Sequence, residues 1–174
     1  MNLKDKKILI GVTGSIAIYK TLDLIRIYIK SGAVVRVLMS ESAKKFINPI
    51  TFEAISQNKV LDENSENWDK NSDYNHIDIA KWADILVIAP ASANTINKIS
   101  CGIADNLLLQ TVLACKKKII IAPAANTNMI ENPITIQSIN NLKNLGFEVL
   151  QTQTKELACK DIGNGAMLEP IDIF

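Results

Sequence analysis

Two stretches of the chain resemble each other, and both end in residues that could bind a ligand. Leu86–Thr95 reads LVIAPASANT, and Ile119–Asn128 reads IIIAPAANTN. Each begins with a short run of apolar, mostly β-branched residues, which is typical of a strand buried on both faces of a parallel sheet. Because ligands of open α/β sheets bind beyond the carboxyl ends of the strands, the small and amide residues that follow predict a site. The alternative is two ordinary strand-to-helix turns.

A glycine-containing turn near the N-terminus could bind an anion. Gly11–Ala17 reads GVTGSIA, between a predicted strand and a predicted helix, where free backbone N–H groups attract negative charge and Ser15 adds a hydroxyl. The Gly-x-x-Gly spacing differs from the Gly-x-Gly-x-x-Gly of dinucleotide sites. Ser40 and Ser42, after the next predicted strand, could serve a phosphate or a ribityl chain. Glu41 between them could instead bind the ribose of NAD, and a turn without a ligand is the third interpretation.

Two further side chains could act on a substrate. His76 is the only histidine and lies between a polar segment and a predicted buried strand. It could therefore lie over a site and act there as a catalyst, or remain an ordinary surface residue. Asn126 follows the second Ala-Pro and could donate to a carboxylate without the desolvation cost of a buried cation, or could only cap the next turn.

The three cysteines fall into two groups. Cys159 lies beside Lys160 in a segment with two glycines, where an accessible thiol next to a cation should release its proton readily; the alternative is an idle surface cysteine. Cys101 and Cys115 lie among apolar residues of predicted helices and are expected to be buried and unreactive. The spacing of the three does not suggest a metal site.

Composition limits the class of protein. The 174 residues are 48% hydrophobic, which fits one globular domain spanning residues 1–174. The formal net charge of +1 gives no electrostatic reason to expect nucleic acid or an anionic membrane as a partner. The N-terminal apolar run is interrupted too early for a signal peptide or a membrane span, so we expect a cytoplasmic protein with reduced thiols.

Strands and helices alternate along the chain. This pattern predicts a single doubly wound α/β domain, Rossmann-like and flavodoxin-like, with a mostly parallel sheet. Val60–Asn75 is polar and is expected to be a surface loop, and Lys155–Pro170 (KELACKDIGNGAMLEP) is expected to be a mobile flap rather than part of the framework. We expect strands at 6–10, 33–39, from 84, from 119 and at 147–150, and helices at 14–31, 40–46, 49–57, 92–100, 104–115 and 133–145. Residues 76–83 are expected to form a short helix or a turn.

Several motifs, taken in order from about Lys6 to Pro170, resemble the homo-oligomeric flavin-containing cysteine decarboxylases. His76 falls where that family has its essential histidine. Ala125, Ile130 and Lys160 depart from the family pattern, in which a Met, an aromatic residue and a Gly are usual. The matching motifs are GSIA at Gly14–Ala17, SANT at Ser92–Thr95, DNLL at Asp105–Leu108, PAANTNM at Pro123–Met129 and LACKDIGNGAM at Leu157–Met167.

The resemblance implies an FMN enzyme that decarboxylates phosphopantothenoylcysteine to 4'-phosphopantetheine in coenzyme A biosynthesis, through a thioaldehyde and an enethiol. It implies that His76 is the base of the oxidative half, that Asn126 holds the carboxylate and that Cys159 is the final proton donor. It further implies that Ala158 and Met167, with Asn126, bind the substrate, and that the protein is a trimer or dodecamer. The FMN-binding residues that it implies are Gly14, Ser15, Ile16, Ser40, Ser42, Ser92, Ala93, Asn94, Thr95 and Ala124.

Other functions remain open at this point. A lantibiotic peptidyl-cysteine decarboxylase stops at the enethiol and needs no proton-donating cysteine, and a flavin prenyltransferase shares the fold without the cysteine flap. A non-catalytic flavin-fold regulatory subunit would have no use for His76, Asn126 and Cys159 together. An NAD enzyme without flavin is a further alternative, and the colour of the purified protein distinguishes it, because a protein that binds FMN should be yellow.

Overall fold

A five-stranded parallel sheet forms the centre of the molecule. The computed structural model describes residues 2–69, 74–156 and 162–174. The strand order is β2-β1-β3-β4-β5, which is the flavodoxin-like order of doubly wound folds and confirms the predicted fold class. The strands are β1 (Lys7–Val12), β2 (Val34–Met39), β3 (Ile85–Ala91), β4 (Lys118–Pro123) and β5 (Glu148–Val149).

The apolar runs form strands because both faces of the sheet are covered. Alternate side chains of a strand point to opposite faces, so a strand between two helical layers needs apolar residues at every position. In β1, Ile8 and Ile10 pack into one core with Leu24, while Leu9 packs into the other core with Ile79. All five side chains are buried.

Short polar side chains set where many of the helices begin. Asn48, Asn75, Asn106, Asn126 and Asn132 each accept a hydrogen bond from a backbone N–H in the first turn, as does Ser92. Helices that lead into parallel strands run antiparallel to them, so their first residues lie toward the carboxyl edge of the sheet. The helices are α1 (Ile18–Lys30), α2 (Pro49–Ser56), α3 (His76–Trp82), α4 (Ala93–Ser100), α5 (Leu107–Ala114), α6 (Thr127–Ile130), α7 (Pro133–Asn144) and α8 (Pro170–Ile173).

Part of the segment Lys155–Pro170, for which a mobile flap outside the framework is predicted, does belong to the framework. β6 (Gln153–Glu156) pairs antiparallel with β7 (Ile162–Ala166), and we call these two strands the hairpin. Met167, directly after β7, is 1% exposed and belongs to the core. The prediction was wrong for Met167, and the hairpin was not predicted because the polar strand β6 and the glycine-containing strand β7 leave no apolar periodicity in the sequence.

Two other local predictions need correction. The segment Val60–Asn75 is not simply a surface loop, because Val60 and Leu61 are buried and Leu61 forms a bridge with Leu38 at the end of β2. Cys101 is exposed and Cys115 is half-buried, since each follows the last turn of its helix rather than lying within the apolar face. No helix among the described residues has the length and apolar character needed to cross a membrane.

Candidate active site

Backbone and hydroxyl groups connect the carboxyl ends of four neighbouring strands. The N–H of Ser40, after β2, donates to the carbonyl of Val12 in β1 at 3.0 Å. The N–H of Ala124, after β4, donates to the carbonyl of Ala91 at the end of β3 at 2.9 Å. The segments that the sequence singled out therefore lie side by side along one edge of the sheet, which we call the strand-end row.

Thr13 joins the ends of β1 and β3. Its hydroxyl donates to the carbonyl of Pro90 at 2.7 Å and accepts from the N–H of Ser92 at 2.9 Å. The side chain is 1% exposed, so water does not compete with these bonds. Sequence reasoning missed this residue, although a threonine inside the glycine-containing turn was the available signal.

The turn after β1 and the turn after β2 approach each other closely. A methyl group on Gly14 would lie 2.7 Å from both Cβ and Oγ of Ser42, so only glycine fits at this position. The hydroxyls of Ser40 and Ser42 lie 3.1 Å apart, and the Ser15 hydroxyl accepts from the N–H of Ala17. This set of uncharged hydroxyl and N–H groups suits a phosphate or a polyol.

The contacts of Glu41 do not support the alternative that it binds the ribose of NAD. Its carboxylate pairs with Lys44 at 2.6 Å and its side chain is 58% exposed. Lys44 also pairs with Asp62 at 2.6 Å. Burial alone would lower the pKa of Lys44, but the hydrogen bonds to Asp62 and Glu41 outweigh it and raise that pKa. The contacts thus give Glu41 an ion pair on the surface, rather than the ribose contact that an NAD site would need.

The turn after β3 is ordered by its own side chains. The Ser92 hydroxyl caps α4 by accepting from the Thr95 N–H at 3.3 Å. It also lies 3.1 Å from the Thr95 hydroxyl. Ala93 is buried, Thr95 is 7% exposed and Asn94 is exposed. Among the predicted cofactor residues of this turn, Asn94 is the one whose side chain is exposed. Ile16, in the turn after β1, is also exposed, at 56%.

The hairpin packs directly on the segment that contains Asn126. The N–H of Ala125 donates to the carbonyl of Gly165 at 3.0 Å. A Cβ on Gly165 would overlap the carbonyl of Ala125, and one on Gly163 would overlap the hydroxyl of Thr127. Asn126 itself accepts from the N–H of Asn128 at 2.9 Å and so caps α6. The structure therefore brings β7 against the second of the two similar stretches.

His76 is held by residues of the segment that precedes it. Its Nδ1 lies 3.0 Å from Oε1 of Glu66, and the side chains of the two residues are 22% and 21% exposed. The ring also meets Trp68 edge to face, with the centroids 5.3 Å apart. Sequence reasoning missed Glu66 and Trp68 because they lie in a polar segment without periodicity. As the first residue of α3, which leads into β3, His76 lies toward the carboxyl edge of the sheet.

Three predicted residues need separate mention. Cys159 and Ala158 lie outside the described residues, so their predicted roles stay predictions. The side chain of Met167 is packed in the core, and its carbonyl accepts from Nζ of Lys20 at 2.9 Å. A contact between this side chain and substrate stays a prediction as well.

A cavity of about 290 Å³ lies beside the hairpin, on the α7 side of the strand-end row. It is bounded by Pro123 at the end of β4, Ile130 of α6 and Asn164 of β7, together with Lys143 and Thr152. Its volume is near the lower limit for small-molecule sites. Because Pro123, Ile130 and Asn164 belong to the segments around Asn126, the cavity adjoins that part of the candidate site.

Comparison with known proteins gives consistent results. A family model described as Flavoprotein matches residues 1–174. The coenzyme A biosynthesis bifunctional protein CoaBC of Haemophilus influenzae is 42% identical over 178 residues, covering 100% of this chain and 43% of that protein. A probable phosphopantothenoylcysteine decarboxylase of Streptococcus mutans is 44% identical over 166 residues, covering 94% of this chain and 92% of that protein. The chain thus spans less than half of the first relative and most of the second.

Two solved structures are similar over almost the whole chain. A PPC decarboxylase mutant in complex with pantothenoylaminoethenethiol has a TM-score of 0.87 and is 36% identical, covering 98% of this chain and 94% of that chain. The FMN-binding protein AtHal3 has a TM-score of 0.85 and is also 36% identical, covering 98% and 93% of the two chains. Both similarities include the sheet, the strand-end row and the hairpin.

Proposed function

The chain belongs to the flavoprotein family, and on that premise we propose that it decarboxylates 4'-phospho-N-pantothenoylcysteine to 4'-phosphopantetheine with FMN, a step of coenzyme A biosynthesis. The observation that carries the proposal is the strand-end row: four adjacent strand ends with hydroxyl and N–H groups, with Asn126 and the hairpin at one end. The named relatives and the structure with a bound enethiol support the choice of substrate.

FMN fits the residues of the strand-end row. The close approach of Gly14 to Ser42 brings the turns after β1 and β2 together, and the hydroxyls of Ser15, Ser40 and Ser42 can donate to a phosphate or ribityl group. When bound, FMN supplies reversible two-electron oxidation and reduction, which the protein's side chains lack. The remaining proposed cofactor contacts are Ile16, Ser92, Ala93, Asn94, Thr95 and Ala124.

The protein's own residues would bind, orient and move protons. A cysteinyl carboxylate has no electron sink, so carbon dioxide can leave only after the thiol carbon has been oxidised to a thioaldehyde. His76 accepts a proton during that oxidation. Asn126 holds the carboxylate with a neutral amide. After the enethiol forms, Cys159 donates the proton that completes the product, while the hydride equivalent removed in the oxidation would return from the reduced cofactor.

We further propose that residues 1–174 form one FMN domain, that the protein is cytoplasmic and that it assembles into a trimer or a dodecamer. The apolar side chains that this chain leaves exposed support an assembly. Ile134 and Leu113 are 67% and 68% exposed, and Ile136 and Met129 are 46% and 50% exposed. Exposed apolar side chains mark an interaction surface where they lie together in one patch.

The test is incubation of the yellow, FMN-loaded protein with phosphopantothenoylcysteine, following carbon dioxide and the product mass. We expect carbon dioxide and 4'-phosphopantetheine in equal amounts. Cys159→Ser should still release carbon dioxide, because serine is nearly the same size, but it should accumulate the enethiol, lighter than the product by two hydrogens, because serine is a far weaker acid.

Three outcomes would contradict this assignment. Release of the enethiol by the unmodified protein would favour a peptidyl-cysteine decarboxylase. Normal product from Cys159→Ser at the normal rate would show that the thiol is idle. Absence of carbon dioxide from flavin-loaded protein would favour a non-catalytic flavin protein.

A further inference from the structure

We propose that Glu66 is a positioning residue for His76, and that its carboxylate fixes the imidazole in the tautomer with the proton on Nδ1, which leaves Nε2 as the atom that accepts a proton. The inference rests on the proposed function, in which His76 is the base. It adds a residue from a segment that no sequence motif marks.

The chemistry of the two groups determines which atom donates. An ionised carboxylate can only accept hydrogen bonds, so the 3.0 Å contact between Oε1 of Glu66 and Nδ1 of His76 requires the proton on Nδ1. A neutral imidazole with that proton on Nδ1 has its lone pair on Nε2. Both side chains are about four-fifths withdrawn from solvent, so water competes weakly for the contact.

Glu66 is itself held in place by the residues before it. Asp62 pairs with Lys44, and its side chain accepts from the N–H groups of Asn64 and Ser65, which forms a capped turn that ends at Glu66. One residue into that turn, Oε1 of Glu63 accepts from the N–H of Leu107 at the start of α5 at 2.7 Å. The turn is therefore attached both to the segment after β2 and to α5.

The imidazole is restrained from two further directions. Asn75, 8% exposed, caps α3 by accepting from the N–H groups of Ile77 and Asp78, which fixes the backbone on which His76 lies. Trp68 meets the imidazole at an interplanar angle of 78° and limits rotation of the ring. Both restraints lower the side-chain entropy that is lost when the two groups are held in one geometry, a loss that makes exposed ion pairs weak.

Because His76 is the only histidine, nitrogen NMR can report its tautomer without overlap. FMN-loaded protein labelled with ¹⁵N-histidine is compared with Glu66→Gln and Glu66→Ala at a pH at which the ring is neutral. We expect Nδ1–H in the unmodified protein and a shift toward Nε2–H in Glu66→Ala, since Nε2–H is the form that predominates in water. Glu66→Gln keeps an acceptor oxygen and should be intermediate.

Kinetics give the second measurement. Glu66→Ala should lower kcat for phosphopantothenoylcysteine roughly 100-fold, because an imidazole in the wrong tautomer loses much of the rate enhancement that general base catalysis contributes. KM and FMN content should change little. Glu66→Asp, which keeps a shorter carboxylate, should recover part of the rate. Glu148→Ala is the matched control, since it removes one exposed ion pair with Lys118 and should change neither the tautomer nor kcat.

The outcomes separate this inference from the proposed function. If Glu66→Ala keeps both the Nδ1–H tautomer and the full kcat, the proposed role of Glu66 is wrong. If the unmodified protein releases no carbon dioxide, the proposed function fails, but the NMR comparison still decides whether Glu66 sets the tautomer. If Glu66→Ala does not fold, Glu66→Gln and Glu66→Asp carry both measurements. A rate loss that leaves the tautomer unchanged would also contradict the mechanism.

Discussion

At the scale of single residues, Asn126 has a structural contact beside its proposed role with the substrate. Its side-chain oxygen accepts from the N–H of Asn128 and caps α6. The sequence had left capping and carboxylate binding as alternatives, but an amide carries an acceptor and two donor hydrogens, so the cap does not exclude the second role. A substitution that keeps the cap can therefore separate carboxylate binding from helix capping.

Asn126→Asp is that substitution, because aspartate caps helices as well as asparagine does. It should leave FMN bound and the fold intact but weaken substrate binding. Two carboxylates about 4 Å apart repel by about 1 kcal/mol in water and about 4 kcal/mol at an effective dielectric constant of 20, so we expect KM to rise tenfold or more. Steady-state kinetics with measured flavin content checks this, and an unchanged KM would show that Asn126 does not face the carboxylate.

Residue types at strand ends were predictable from the sequence, while tertiary partners were not. Gly14, Ser42 and Ala124 were identified because small residues after an apolar run have a local signature. Glu66 lies ten positions before His76, in a segment without periodicity, and its role depends on the capped turn and on the contact of Glu63 with α5. Neither contact leaves a pattern in sequence.

At the scale of elements, the hairpin is positioned by backbone approach rather than by buried apolar side chains. Gly163 and Gly165 let β7 lie directly on Ala125 and Thr127. This explains why the sequence predicted the five strands of the parallel sheet but not β6 and β7. Four of those five strands have apolar runs, whereas β7 reads IGNGA, and its two glycines allow its close contact with Ala125 and Thr127.

Gly163→Ala should displace the hairpin, because the new methyl group would overlap the Thr127 hydroxyl. We expect FMN content to stay near normal and turnover to fall at least tenfold, with a loss of stability of about 1–3 kcal/mol, as is typical of overpacking. Adding Thr127→Ala removes the overlapping hydroxyl and should restore much of the turnover.

Gly146→Ala is the control for Gly163→Ala. A Cβ at Gly146 meets nothing within 4 Å, although its φ of +90° is strained for alanine. It should lower stability without lowering turnover. If Gly146→Ala and Gly163→Ala reduce turnover equally, the position of the hairpin is not what matters.

At the scale of the whole molecule, the alternation of strands and helices was sufficient to predict a doubly wound domain with a mostly parallel sheet. The alternation could not show which residues attach the C-terminal segment to α1. Glu169, just before α8, accepts from Lys155 of β6 and from Lys20 of α1 at 3.0 Å. Lys20 also donates to the carbonyl of Met167 at 2.9 Å. These ionic contacts join the first helix to the hairpin across most of the length of the chain.

The same contacts make part of the stability depend on pH. Hydrogen bonds from Lys155, and then from Lys20, hold the pKa of the Glu169 carboxyl below its ordinary value of 4.5. A group whose pKa is lower in the folded state stabilises the fold above its unfolded pKa, and this contribution is lost as the pH falls through the folded pKa. The stabilisation is therefore complete at neutral pH, begins to decrease as the pH approaches 4.5, and is lost below the lower pKa of the folded state.

Glu169→Gln should accordingly lower the free energy of unfolding at neutral pH, and the difference from the unmodified protein should shrink as the pH falls below 4.5. Because the Glu169 side chain is 39% exposed, we expect the difference at neutral pH to be no more than about 1 kcal/mol. Urea unfolding at a series of pH values measures it. Glu148→Gln, which breaks an exposed ion pair at the far edge of the sheet, is the matched control and should change stability little. A difference for Glu169→Gln that is constant down to pH 3 would show that the carboxyl charge does not hold the hairpin to α1.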